Sequence, residues 1–428
     1  MNIFSRLYLM VAIIGHGMTS SVWPSDQHSG YTDWTFGGHL KYRYIHTRIP
    51  ENSVLQTING DSLQDHYLEV RLKLAARHGR WGFDTHAQYI AVHSDTLSGF
   101  RSGPSILFPG SKLINDERRW FNLTHEIRNQ GKNARLLRLD RFNIGYTGEK
   151  AVVRFGRQAI SWGNGLLFTP MDILNPFDPA ALDKEYKTGD DMLYTQYLFN
   201  SGNDIQAAAV VRREPVTGEI EQRQSSLAVK YHGFAGSREY DLLVAEHYGD
   251  TLFGLGLSAD LGGAVWRGDL VWTDTADEQV FSAVAGVSYS GLAGGHNWTG
   301  FLEYFYNGFG QSDGDYSGAG LATNPELLKR LARGELFNLG RHYLGASVTV
   351  EMTPLLKLTP NIFVNLHDPS ALTQLLLNYD WKQNIQLLAA LNIPLGTDGS
   401  EYGGTESTQA DLYLSTDTSL FTQLTWYF

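Results

Sequence analysis

Residues 66–93 read HYLEVRLKLAARHGRWGFDTHAQYIAVH, and the way this stretch alternates decides the fold. Leu68, Val70, Leu72 and Leu74 share one parity, and Glu69, Arg71 and Lys73 the other, the period of two that sends successive side chains to opposite faces of a strand. Beyond His78-Gly79 the alternation resumes, so the stretch reads as two strands joined by a tight turn. A soluble sandwich alternates as well. Here, though, the polar face carries full charges, which suits a barrel whose strands face lipid on one side and a watery lumen on the other.

The same period recurs from Thr35 to His46, where Phe36, Leu40, Tyr42 and Tyr44 oppose Thr35, His39, Lys41 and Arg43. Further along, short turns fall at Gly148-Glu149, 201–203, 233–237, Gly262-Gly263, 291–295, Thr353-Pro354 and 381–383. Longer connections alternate with them near 48–64, 94–134, 161–190, 308–340 and 394–408, and shorter ones near 214–222, 249–250, 274–278 and 367–370. Short inner turns alternating with long outer loops are the rule of outer-membrane barrels. The expected fold is all-β, a transmembrane antiparallel barrel of about 18 strands, with 16 possible. In ARLLRLDRFNIGYT, residues 134–147, the faces mix, and a bulge near Asp140 would return Arg138 and Asp140 to the lumen.

Composition narrows the function classes. The chain has 428 residues, 45 glycines, 22 tyrosines, 21 phenylalanines, 10 tryptophans and no cysteine, which leaves no disulfide, thiolate metal site or cysteine nucleophile. After the N-terminus no run reaches the roughly 20 apolar residues of a membrane helix. Lys plus Arg is 34 against 45 Asp plus Glu, and a net charge of −11 makes nucleic acid a poor partner. Residues 1–21 read as a secretory signal, with Arg6, an apolar run from Leu7 to Ile14 and small residues up to Ser21. Residues 22–428 would then form the barrel.

The chain ends SLFTQLTWYF, with Leu424, Trp426 and Phe428 on one parity. In a closed barrel the last strand pairs with the first, so this end is bonded rather than free. A terminal Phe preceded by alternating apolar residues resembles the C-terminal signature of Gram-negative outer-membrane barrels, which implies recognition by the barrel-assembly machinery and a setting of outer-membrane lipid and lipopolysaccharide.

Residues 161–190 are the least strand-like long segment. They carry Pro170, Pro176 and Pro179 together with Trp162, Leu166, Leu167, Phe168, Ile173, Leu174 and Phe177, an apolar content too high for disorder. The expectation is a folded loop packed inside the lumen, where it narrows the pore. The run GRQAISWGNGLLFTPMDILNPFDP, residues 156–179, resembles the strand end and following loop of outer-membrane porins and alginate-export-type barrels. That resemblance implies a solute channel whose constriction sets basic wall residues against acidic loop residues. Carried onto this sequence, the constriction would comprise Arg141, Arg154, Arg157, Gln158 and Trp162 with Asp172, Asp178, Asp183, Asp190 and Asp191. Arg157 shares the parity of Val153 and Phe155, which leaves its direction open. These arginines could equally pair with the acids simply to pin the loop.

Weaker motifs add detail. NPELLKRLARG, residues 324–334, reads as a short helix with Asn324 as N-cap, Pro325 at its first position and Gly334 past its end, a lid or brace within the outer loop 308–340. DGDYSG begins like a calcium loop, but its twelfth position is Asn324 rather than Glu, so an acidic turn is the better reading. No HExxH occurs, and neither catalytic residues, a metal nor a cofactor is expected. The function expected is an outer-membrane channel, not an enzyme, for diffusion or export of small polar or saccharide-like solutes. A structural barrel that sheathes a periplasmic partner and an outer-membrane hydrolase are the alternatives.

Overall fold

The computed structural model describes residues 32–100 and 113–428; the signal expected at 1–21 lies outside them. In chain order the strands are β1 (Asp33–Arg48), β2 (Ser62–His78), β3 (Trp81–Ser94), β4 (Thr124–Gln130), β5 (Asn133–Thr147), β6 (Ala151–Gln158) and β7 (Asp190–Leu198). They continue as β8 (Asp204–Val210), β9 (Ser226–Ala235), β10 (Arg238–His247), β11 (Asp250–Leu261), β12 (Ala264–Asp274), β13 (Gln279–Ala293) and β14 (His296–Tyr306). The last are β15 (His342–Thr353), β16 (Leu356–Asn365), β17 (Ser370–Lys382), β18 (Ile385–Leu395), the short β19 (Thr405–Glu406) and β20 (Tyr413–Leu414), and β21 (Ser419–Tyr427).

Eighteen of these close into a barrel in which each strand pairs antiparallel with its neighbours; β4, β19 and β20 are the exceptions, lying within outer loops. The number is the expected 18. Turn chemistry explains the hairpins at the short-turn end: Gly262 and Gly263, at φ 67° and 79°, are the two-residue link between β11 and β12, a conformation side-chain-bearing residues rarely adopt. β1 and β21 complete the circle, from His39 opposite Tyr427 to Thr47 opposite Ser419. Phe428 then exchanges backbone hydrogen bonds with Gly38 at 2.8 and 3.1 Å, which extends the closing pair by one residue.

Alternation sorts the faces as read from the sequence. Leu72, Phe155, Leu193, Leu242, Val244 and Leu375 stand exposed on the outside, while Trp34, Trp81, Trp266 and Trp381 cluster beside the short turns as an interfacial girdle. The bulge expected near Asp140 is present: His86 lies opposite Arg141 and Ala87 opposite Leu139, so Asp140 has no partner. Arg138 and Asp140 are thereby turned inward, each 3% exposed, between outward Leu137 and Phe142. Charges facing lipid here would cost several kcal/mol, roughly 2–4 at mid-bilayer.

Two outer connections differ from the expectation. The last runs over 396–418 rather than 394–408, because β19 and β20 form a small hairpin too brief to show a period. Residues 94–134 hold β4, which pairs with the outer half of β5 and continues the wall above the short β6. The helix Pro325–Arg333 has the expected caps: the Asn324 side chain accepts from the Leu327 amide, Pro325 opens the helix, and Gly334 closes it in the left-handed conformation.

Candidate functional site

Past Gln158 the chain leaves the wall and residues 159–189 travel around the inner face of the barrel as a collar. Trp162 goes first, its indole donating to Gln206 Oε1 on β8 at 2.8 Å, and its ring packs with Met171, Ile173 and Leu174 against inward Tyr194, Leu243 and Val271. Asn164 donates to Asp269 Oδ1 on β12 at 2.9 Å and to Asp241 on β10 at 3.3 Å. The amides of Leu166, Leu167 and Phe168 then converge on the Glu303 carboxylate of β14, the latter two at 2.7 and 3.2 Å. Three backbone donors out of regular structure must find acceptors, and one inward glutamate takes them all.

From here the collar continues round the wall through β14–β17 to β21 and β1. Phe168 stacks on Phe305 with centroids 4.9 Å apart and packs beside Tyr343 and Phe363. The Ala180 carbonyl accepts from Gln374 on β17 at 2.9 Å. Asp183 accepts from Lys41 at 2.7 Å, Arg43 at 3.3 Å and Gln423 at 3.1 Å, on β1 and β21. The Lys187 carbonyl accepts from Arg141 on β5 at 2.5 Å, and the Lys187 ammonium bonds Asp172 at 2.6 and 2.7 Å, which ties the end of the collar to its beginning. Two inward glycines make room for it: a Cβ on Gly256 would lie 2.4 Å from Asn164 Nδ2, and one on Gly345 2.4 Å from Leu167 Cδ1.

Between β1 and β5 the collar leaves a cationic arc. Tyr186 lies at its centre, with the Arg71 guanidinium 4.0 Å, Lys73 4.7 Å and Lys41 5.5 Å from the ring centroid, and the Lys73 ammonium also bonded to its hydroxyl. Glu185 pairs with Lys41 at 2.7 Å. Above this belt, towards the long loops, lies a cavity of about 450 Å³ lined by Arg43, Tyr67, Glu69 and Gln423. Below it, towards the short turns, lies one of about 630 Å³ lined by Asp84, Arg141, Asn143, Arg154 and Gln158.

The titration of the collar follows from its packing. Burial pushes the Asp172 carboxyl up to about 6 despite Lys187, and the same burial lowers the Lys187 ammonium. Burial likewise raises Asp178, whose carboxylate accepts from the Ala180 amide at 2.8 Å. For Asp183 and Glu185 burial also acts upwards, but bonding to Lys41 outweighs it and holds both below the ordinary range.

The residues expected at the constriction fall into three groups. Arg141, Arg154 and Gln158 face the lower cavity, and Arg154 lies over the Tyr194 ring at 4.6 Å. Trp162, Asp172, Asp178 and Asp183 belong to the collar. Arg157 and Asp191 lie elsewhere, in the wall, while Asp190 keeps the inward parity of Met192 and Tyr194 and is hydrogen-bonded to Asn175 of the collar. Arg157 is fully buried, bonded to Asp191 at 2.8 Å and Asp116 at 2.9 Å, and it keeps the outward parity of Phe155 beneath residues 116–121. Asp190 accepts from Arg212 at 2.7 Å. Their charges are consumed where the short β6 and β8 end and residues 113–132 complete the wall. Sequence reasoning missed Tyr186, Lys41, Arg43, Arg71 and Lys73 as a cluster, although the charged parity of β1 and β2 was the available signal. Among the described residues no group of His, Asp or Glu is arranged to hold a metal ion.

No protein-family model matches the chain, and no curated protein matches it. Solved structures do. A BenF-like porin from Pseudomonas fluorescens Pf-5 is similar at 11% identity and a TM-score of 0.51, over 92% of this chain and 98% of that one. Acinetobacter baumannii OccAB1 is similar at 10% identity and 0.52, over 92% and 96%. Pseudomonas aeruginosa OccK2 (OpdF), in complex with glucuronate, is similar at 10% identity and 0.50, over 92% and 98%. At such identities likeness speaks for the fold alone. The chain has the fold of Gram-negative outer-membrane porins, a closed antiparallel barrel of 18 strands.

Proposed function

We propose that this protein is an outer-membrane channel for small polar solutes, and that it favours anionic ones such as sugar acids. The observation that carries the reading is the collar: a folded loop that rings the lumen, pressed against apolar wall from β7 to β16 and leaving two cavities on the cationic side between β1 and β6, the lower one polar and the upper one largely apolar with Lys41, Arg43, Glu69 and Gln423 at its edge. Along that side Lys73 and Arg154 form no ion pair among the described residues, whereas the carboxylates are engaged: Asp183 by Lys41 and Arg43, Glu185 by Lys41, Asp140 by Arg71 and Arg141, Glu69 by Arg71 and Asp84 by His86. Cations lining a narrow passage raise the local concentration of anions. A barrel of the same fold has been crystallised with glucuronate, which is the size and charge these cavities suit. The collar also speaks against a sheath, which needs an open lumen.

Ion selectivity tests the proposal. Replacing Arg141 and Arg154 with asparagine should shift the reversal potential in a salt gradient towards cations, most at 0.01 M salt, where the Debye length is about 30 Å and fixed charges act across the pore. An unchanged reversal potential would count against an anionic path.

A further inference from the structure

The outside of the barrel changes chemistry on one sector of its long-loop rim. Going outward along β2, Val70 and Leu68 give way to His66; on β3, Tyr89 and Ala91 give way to His93; on β5, Leu139 and Leu137 give way to Arg135. β4 adds Arg128 directly opposite Arg135, and His125 opposite Leu137. His66 and His93 are cross-strand partners with ring centroids 6.2 Å apart. The Tyr42 hydroxyl lies 2.8 Å from His66 Nδ1.

Two arginines directly opposite each other on an antiparallel pair repel. Neither has an ion-pair partner among the described residues: Glu126, on the other parity, accepts from Asn129 at 3.0 Å, and Asp95 takes Lys132 at 2.6 Å. The cluster is also local. At the corresponding ends of β10 and β12 the outward residues are Glu246 and Asp274. An exposed, unneutralised cation pair in a chain of net charge −11, standing directly above the apolar belt, calls for an anion at the height of the outer-leaflet head groups.

We propose that Arg128 and Arg135, flanked by His93 and His66, form a docking site on the outer wall for the phosphate groups of lipid A. Paired guanidiniums offer bidentate donors to one phosphate, and the imidazoles and the Tyr42 edge suit the adjoining sugar. The occupant is a membrane lipid, so the site is independent of what the lumen conducts.

Native mass spectrometry of the full-length protein in detergent, titrated with bis-phosphorylated lipid A, tests this. The wild-type barrel should retain lipid A roughly twentyfold more tightly than an Arg128→Asn/Arg135→Asn double variant, two cations near an anionic surface being lost. Dephosphorylated lipid A should bind the wild type as weakly as lipid A binds the variant, and this comparison needs no mutant to fold. Heat-modifiable migration and unchanged conductance would certify the variant barrel. Equal retention by the variant, equal binding of dephosphorylated lipid A, or displacement by phosphatidylglycerol or inorganic phosphate at the same concentration would overturn the proposal.

Discussion

Around Tyr186 three cations, Arg71, Lys73 and Lys41, converge on one ring, and this side chain helps to hold the collar to the wall on its cationic side. Cation–π contacts of this kind contribute about 0.5–1 kcal/mol each at partly wet sites. Tyr186→Ala should therefore loosen the collar by about 1.5–3 kcal/mol, raise single-channel conductance and increase anion preference, because Lys73 and Arg71 are released towards the solute. Tyr186→Phe keeps the ring and should conduct like the wild type. Planar-bilayer recordings of the two variants check this, and equal conductance in Tyr186→Ala and the wild type would remove the residue from the pore. Tyr186 was illegible as a site in the sequence for a physical reason: its importance comes from cations far away in the chain, on β1 and β2, that only the collar's path brings to it.

At the scale of elements, local chemistry was legible and long-range routing was not. The helix Pro325–Arg333 could be read from its caps because Asn324, Pro325 and Gly334 act within one turn of it. The connection 396–418 carries no such signal, yet it holds Glu401, which ties three outer elements together. Its carboxylate accepts from the Tyr343 hydroxyl at 2.5 Å, the Asn365 amide at 2.7 Å and the Leu339 backbone at 2.9 Å. Burial, aided by the charge of Asp368, pushes the Glu401 carboxyl up to about 7 against these hydrogen bonds. A carboxyl raised on folding contributes stability that is complete below its ordinary range near 4.5 and is lost as pH rises through about 7. The outer loops should hold together about tenfold more firmly at pH 6 than at pH 8. Hydrogen exchange of residues 336–341 and 396–404, corrected for intrinsic rates, should show that difference in the wild type and lose it in Glu401→Gln. Protection that rises with pH would contradict the assignment.

For the whole molecule, the barrel was legible because the period of two is a local pattern repeated in eighteen strands around a closed circle, and glycine marks six of the eight short turns between them. Even the fault at Asp140 announced itself, since aromatic and charged residues fell on one parity and only a bulge separates them. The collar was legible as a folded, inward loop from its apolar and proline content, but its anchors were not: Asp241, Asp269 and Glu303 are single acids on three distant strands. Arg157 and Asp191 flank the loop in sequence, but the short β6 leaves them bonded to each other in the wall, while Asp190 keeps the inward parity. In the function proposed above, this ring of chain inside the barrel sets the conduction path. Single-channel conductance of the purified full-length protein, beside a variant lacking residues 163–185, tests it most directly. A small, steady channel is expected in the wild type and a clearly larger step in the deletion, because the narrowest section dominates the resistance of a pore. A deletion barrel that assembles yet conducts like the wild type, or a wild type that does not conduct at all, would contradict it.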